Sequence, residues 1–177
     1  MRGNSPGATL GRLRAVESNS EDVSLRPRGP LNTHSSTSSR VAPTLIAAYR
    51  ATHYCVNGVS PPFLLRIDEG NPDLAACHRA RAVDCSAFLT AWNPGSRPMS
   101  DEDNELAQQQ LRGTLEQRGY ALLEGLGVDP TGQWAGEESF LVLGIGREAA
   151  CELGREFRQH GVVWSGADAV PHLVMLE

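Results

Sequence analysis

A single α+β (mixed α/β) domain is predicted, with a mixed sheet of about five or six strands packed against three or four helices. Three observations predict it. The chain of 177 residues has room for one domain, and 40% hydrophobic residues are enough for one core. Short apolar runs at strand spacing alternate with stretches at helical spacing, which implies some parallel pairing. The last two apolar runs, at 161–164 and 172–176, flank a short turn and read as an antiparallel hairpin.

Residues 1–40 are set apart by composition. They hold eight Ser, scattered Gly and Pro and no aromatic residue, so they cannot bury enough surface to offset the entropy of ordering. A disordered Arg/Ser-rich tail is expected there, and a globular body over 41–177. An organelle transit peptide would share the Arg and Ser, but Glu17, Glu21 and Asp22 count against it. The formal net charge of −5 divides unevenly. The tail carries six Arg and three acids and the body ten Arg and eighteen acids, so the body is acidic. That argues against non-specific nucleic-acid binding, which needs a basic surface. No apolar run reaches the roughly 18 residues of a membrane helix, so no spanning segment is expected and a cytoplasmic location is. Cys55, Cys77, Cys85 and Cys151 form no C-x-x-C pair, so they read as small apolar residues and no metal site is expected.

Each element has its own signal. Pro43 suits a first helical turn, and Leu45, Ile46, Tyr49 and His53 follow at helical spacing, giving a helix over 43–53. Phe63 to Ile67 is a strand after the breaker Pro61-Pro62. Asn71-Pro72 opens a second helix running to about 81. Ser86 to Trp92 is a strand with little polar interruption, as in a central position covered on both faces. Asn93-Pro94-Gly95 has turn chemistry, with Gly free to take positive φ. Ser100 then caps a helix whose Asp103 sits three residues on, and Asp101, Glu102, Asp103 and Glu105 suit the positive end of the helix dipole.

That helix buries Ala107, Leu111 and Leu115, and Asn104 lies on the same stripe. An amide is thereby placed beside the Asn93 loop. Either it ties the loop backbone, or Asn93 and Asn104 both point into a cleft. Gly119 ends the helix and Tyr120 to Leu123 is a strand. A long connection follows over 124–137, with a turn at Asp129-Pro130-Thr131-Gly132 and Trp134 as a lid or a plug. Glu137-Glu138 opens the most apolar strand, and its two carboxylates face opposite sides, so at most one enters any given site. Gly144-x-Gly146 opens a final helix over 147–159. It echoes a dinucleotide fingerprint, but too little chain follows it to complete a nucleotide-binding half. His160 and His172 have no evident partners.

Several stretches stand in a recognisable order: Ala47-Ala48-Tyr49-Arg50-Ala51-Thr52, Phe88-Leu89-Thr90-Ala91-Trp92-Asn93-Pro94, Ser100 with Asn104, Gly127-x-Asp129-Pro130-x-Gly132-x-Trp134, and Glu138-Ser139-Phe140-Leu141-Val142. Together they resemble a bacterial family known as domain of unknown function 3293, over roughly residues 44–177. The resemblance implies a stand-alone cytoplasmic bacterial domain. It brings no activity, cofactor or catalytic residue with it.

Three functions are compatible with this pattern. The first is binding of a small polar or nucleotide-like ligand in a pocket formed by the 92–104 and 129–138 segments. Trp92 or Trp134 would stack, Asn93 and Asn104 would supply hydrogen bonds, Arg50 a charge, and Tyr49, Asp129 and Glu138 further contacts. The second is a hydrolase or transferase using Asp129, Glu137 or Glu138, which needs two carboxylates in one cleft or one with a raised pKa. The third is a protein-interaction module with the tail as a flexible arm, which predicts an exposed apolar patch and no pocket.

Overall fold

The computed structural model describes residues 42–176, so the tail expected at 1–40 lies outside the described residues. The elements are α1 (Pro43–Ala51), β1 (His53–Val56), β2 (Phe63–Leu65), α2 (Pro72–Ala80), β3 (Ser86–Leu89), a single 3-10 turn (Pro94–Ser96), α3 (Asp101–Gln117), β4 (Ala121–Val128), β5 (Glu137–Leu143), α4 (Arg147–Glu156), β6 (Gly161–Ser165) and β7 (Pro171–Met175). The seven strands make one sheet in the order β2-β1-β4-β5-β3-β6-β7. The α+β class is as expected. Two details differ: the described residues form seven strands rather than five or six, and every neighbouring pair among them is antiparallel.

The absence of parallel neighbours has a topological cause. β5 and β6, joined through α4, do run in the same direction, but β3 lies between them and pairs antiparallel with both. The helical connection therefore spans an inserted strand, unlike the adjacent strands of a dinucleotide-binding βαβ unit. The strand expected over 86–92 ends at Leu89, but β3 is buried along its whole length, as in a central position covered on both faces.

The sheet has a core on each face. Leu89, Phe140 and Val142 meet Leu111 and Leu115 of α3 and Leu153 of α4 on one side. Tyr54, Phe88, Leu141, Leu143 and Val163 meet Leu74 of α2 on the other, with Tyr49 of α1 at the margin. Successive residues of β5 thus alternate between the two cores, as strand geometry requires. Of the four described α-helices only α1 has no fully buried residue.

Element ends follow local chemistry. Asn71 caps α2, its Oδ1 accepting from Leu74 N at 2.8 Å, while its Nδ2 donates to Leu64 O at 2.7 Å and ties the cap to β2. Ser100 caps α3 by accepting from Asp103 N at 3.2 Å. The helix expected over 43–53 stops at Ala51, and His53 begins a strand instead. β4 runs to Val128, so the first five residues of the connection expected over 124–137 are strand. Gly125 is the reason that stretch looks like loop: a Cβ there would sit 2.6 Å from the Phe88 ring, so the strand takes glycine to let the ring lie against it. Among the described residues no helix is long and apolar enough to cross a membrane.

Candidate functional site

The site grows out of the stretch that follows β3. Its backbone is held from three sides. Ala91 N donates to Gln108 Oε1 of α3 at 2.9 Å. Trp92 O accepts from Gln159 Nε2 at 3.0 Å, and Gly95 N donates to Arg158 O at 2.7 Å. Thr90 Oγ1 accepts from Trp92 N at 3.0 Å and donates to Glu138 O at 2.6 Å.

Asn93 is the pivot. Its φ of 46° is left-handed, a conformation that Asn tolerates better than most residues. Its N–H donates to Asn104 Oδ1 at 2.8 Å, and Asn104 Nδ2 returns a bond to Asn93 Oδ1 at 3.1 Å. Met99 N adds a second donor to the same Oδ1 at 3.1 Å. The remaining arm, Asn93 Nδ2, donates to Glu137 Oε1 at 2.8 Å. Asn104 is 1% exposed and is consumed by this relay, so it ties the loop and does not enter a cleft. Its effect reaches the cleft through Asn93.

Glu137 borders a cavity of about 310 Å³. The floor is the sheet face that carries Tyr54, Phe88, Thr90, Gly127, Ser139 and Val163. α1 roofs it with Leu45, Ala48 and Tyr49, while Trp92, Asn93 and Ser96 form one wall and Trp134 another. Tyr54 and Phe88 stack edge to face, centroids 5.3 Å apart at 76°. The Tyr54 hydroxyl donates to Tyr49 O at 2.8 Å and so holds the end of the roof helix to the floor.

The lining is aromatic and acidic. No Arg, Lys or His is among the described residues that line it. Burial raises the Glu137 carboxyl above its ordinary value, and the Asn93 amide offsets part of that rise. Burial also raises the Tyr49 phenol; the Ser96 hydroxyl opposes the change and the Glu137 charge adds to it. Tyr54 is pushed up chiefly by burial, so both phenols stay protonated at neutral pH.

Of the residues singled out from the sequence, Tyr49, Trp92, Asn93, Trp134 and Glu137 come together here. The others do not. Arg50 is exposed and pairs with Asp68, whose other oxygen meets His172 Nδ1 at 3.1 Å. His172 therefore has a partner that its place in the sequence conceals. Asp129 is spent on its own turn, accepting from Thr131 N at 2.9 Å and Gln133 N at 2.7 Å, and those bonds hold its carboxyl low. Glu138 lies on the opposite sheet face, in a shallow hollow of about 200 Å³ with Gln108 and Arg112. Arg112 is itself engaged by Glu124 at 2.6 Å. Among the described residues no three His, Cys, Asp or Glu side chains gather as metal ligands. The lining residues Tyr54, Phe88, Thr90 and Ser139 were not singled out. Ser139 had a legible signal, because it shares the parity of Glu137 along β5.

No curated protein and no solved structure matches the chain. A family model does, over residues 89–162, and that stretch holds the Asn93 loop, Asn104, Trp134 and Glu137 but not α1 with its Ala47–Thr52 motif. Over that stretch the chain matches the model of the family described as protein of unknown function (DUF3293).

Proposed function

We propose that the protein binds a small molecule in the cavity between α1 and the sheet. One observation carries the reading: a half-buried carboxylate, Glu137, is held by Asn93 at 2.8 Å on the border of an aromatic-lined hollow of about 310 Å³. A concave apolar site with a few placed polar groups is the usual form of a small-molecule site, and this volume is near the lower end of its range. The lining narrows the ligand. With no basic side chain in it, a phosphate would find no counter-charge, so a nucleotide fits less well than an uncharged or cationic molecule.

A thermal-shift screen of the full chain against small aromatic and heterocyclic compounds of each charge tests this. A ligand at 100 times its Kd adds about 2.7 kcal/mol of stability. Gly127→Val is the control. A Cβ at Gly127 would meet its neighbours only at 3.8 Å, so the variant should fold, while the new side chain occupies the floor. A hit lost in that variant supports the reading. A hit that survives it puts the ligand elsewhere, and a flat screen overturns the reading.

A second reading is favoured by the raised pKa of Glu137. A half-buried carboxyl near a Tyr phenol can act as a general acid or base on a bound substrate. Asp129 and Glu138 do not share the cavity, so the enzyme would rest on Glu137 alone among the three carboxylates. Turnover of a bound hit that is lost in Glu137→Gln while binding persists would select this reading over simple binding.

A further inference from the structure

We propose that the occupant of the cavity carries a protonated amine on a small apolar or aromatic body, with the ammonium seated against Glu137 and the aromatic rings around it. This rests on the reading of the cavity as a binding site and names the chemistry it selects.

Three features of the lining lead there. The first is charge. Glu137 is the one carboxylate among the described lining residues, and no cation lies among them. A charge taken partly out of water without a partner is costly, and a cationic ligand is the partner that the protein does not supply. The second is geometry. Asn93 Nδ2 occupies Oε1 at 2.8 Å, and among the described residues no hydrogen bond reaches Oε2. The Asn93–Asn104 relay fixes the carboxylate from behind, so the free oxygen is presented by a held group. An ammonium has donors only, and so suits an unfilled acceptor.

The third is the ring content. Tyr49, Tyr54, Phe88, Trp92 and Trp134 all border the cavity. Aromatic faces attract cations, most strongly where water is excluded, and rings gathered around an acid are a recurring way to hold an ammonium. An anion would meet the Glu137 charge and the negative faces of the same rings. A neutral molecule would leave the carboxylate unpaired. The cavity of about 310 Å³ limits the body to something near one ring and a short chain.

The test uses three probes that share one skeleton: 2-phenylethylamine, 2-phenylethanol and 3-phenylpropanoate. Each is titrated into the full chain by calorimetry at neutral pH, and the series is repeated on Glu137→Gln and Gly127→Val. The expected result is that the amine binds at least tenfold tighter than the alcohol and that the carboxylate does not bind. In Glu137→Gln the amine should fall to the level of the alcohol, with the alcohol unchanged. That variant keeps an acceptor for Asn93, so its fold is not at risk. Alcohol or carboxylate binding as tight as the amine, all of it lost in Gly127→Val, overturns the amine and leaves the cavity as a binding site. Amine binding that survives Glu137→Gln also overturns it. Failure of all three probes overturns it too, and the wider screen then decides on the cavity by itself.

Discussion

Asn104→Ala tests the relay that positions the site. Asn104 is 1% exposed and makes two bonds, at 2.8 Å from Asn93 N and 3.1 Å to Asn93 Oδ1. Truncation strands the Asn93 N–H, which costs about 1–3 kcal/mol, and removes a second bond worth about 1 kcal/mol net. Asn93 Oδ1 keeps its donor from Met99 N, so it is not stranded. The expected loss is therefore about 2–4 kcal/mol, or roughly 3–5 °C in Tm for each kcal/mol in a domain of this size. Urea unfolding should show a lower midpoint with an unchanged slope, since the surface exposed on unfolding is the same. Asn104→Asp refines the test. It keeps the acceptor for Asn93 N–H, and when protonated it also keeps a donor toward Asn93 Oδ1. Its penalty should be small in acid and grow as the carboxyl ionises against that oxygen. A loss under about 0.5 kcal/mol for Asn104→Ala, at unchanged slope, would refute the idea that this amide holds the loop.

Other expectations concern pH and glycine. The folded Glu137 carboxyl titrates above its unfolded value, so its stabilising contribution is complete in acid and is lost as pH rises through the raised value. Glu137→Gln should therefore match the parent near pH 4 and be the more stable at pH 7; equal stability at both would remove the burial argument. His78 has the opposite sign. It is 4% exposed, meets Ser86 Oγ at 2.9 Å, and is shifted down by burial. Stability should fall as pH drops through the ordinary His value, and a pH-stability curve of His78→Gln should lack that slope. Two glycines give opposite results in urea melts. A Cβ at Gly58 would stand 2.6 Å from Glu124 N, so Gly58→Ala should cost about 1–3 kcal/mol. Gly113 lies within α3 with nothing near its Cβ direction, so Gly113→Ala should add about 0.5–1 kcal/mol.

Much of the frame was legible because it depends on local chemistry. Ser100, Asn71, Gly119 and the final hairpin were readable from capping and turn rules alone. The stripe through Asn104 was readable too, because helical periodicity places an amide against the sheet whatever lies beyond. The rest depended on distant partners. β1 has four residues, and its first, His53, continues the spacing of the preceding helix. β4 reads short in the sequence because Gly125 and Gly127 look like loop, and the Phe88 ring that lies against Gly125 is too distant in the chain to be seen there. The parity of Glu137 and Glu138 was visible, but not which parity faced a cavity. That choice is made by α1, which roofs one face, while α3 fills the other. Arg50 and Asp129 looked available because their partners are, respectively, 18 residues away and in the backbone of a turn.

The insertion of β3 between β5 and β6 bears on how this chain can be cut and how it assembles. Phe88 pairs with Leu141 and Val163, about fifty and seventy-five positions further on. The centre of the sheet therefore closes late in synthesis, after α4 has emerged, and folding should be slow for the size of the domain. It also means that the stretch recognised by the family model is not a folding unit. Residues 89–162 omit Ser86, Ala87 and Phe88, the three residues through which β3 joins β6, and omit all of β1. Expressed alone, that stretch would leave β4 and β5 with open edges, which invite strand-to-strand association between molecules. A fragment that folds has to begin far enough upstream to bring β1 and β3 with it.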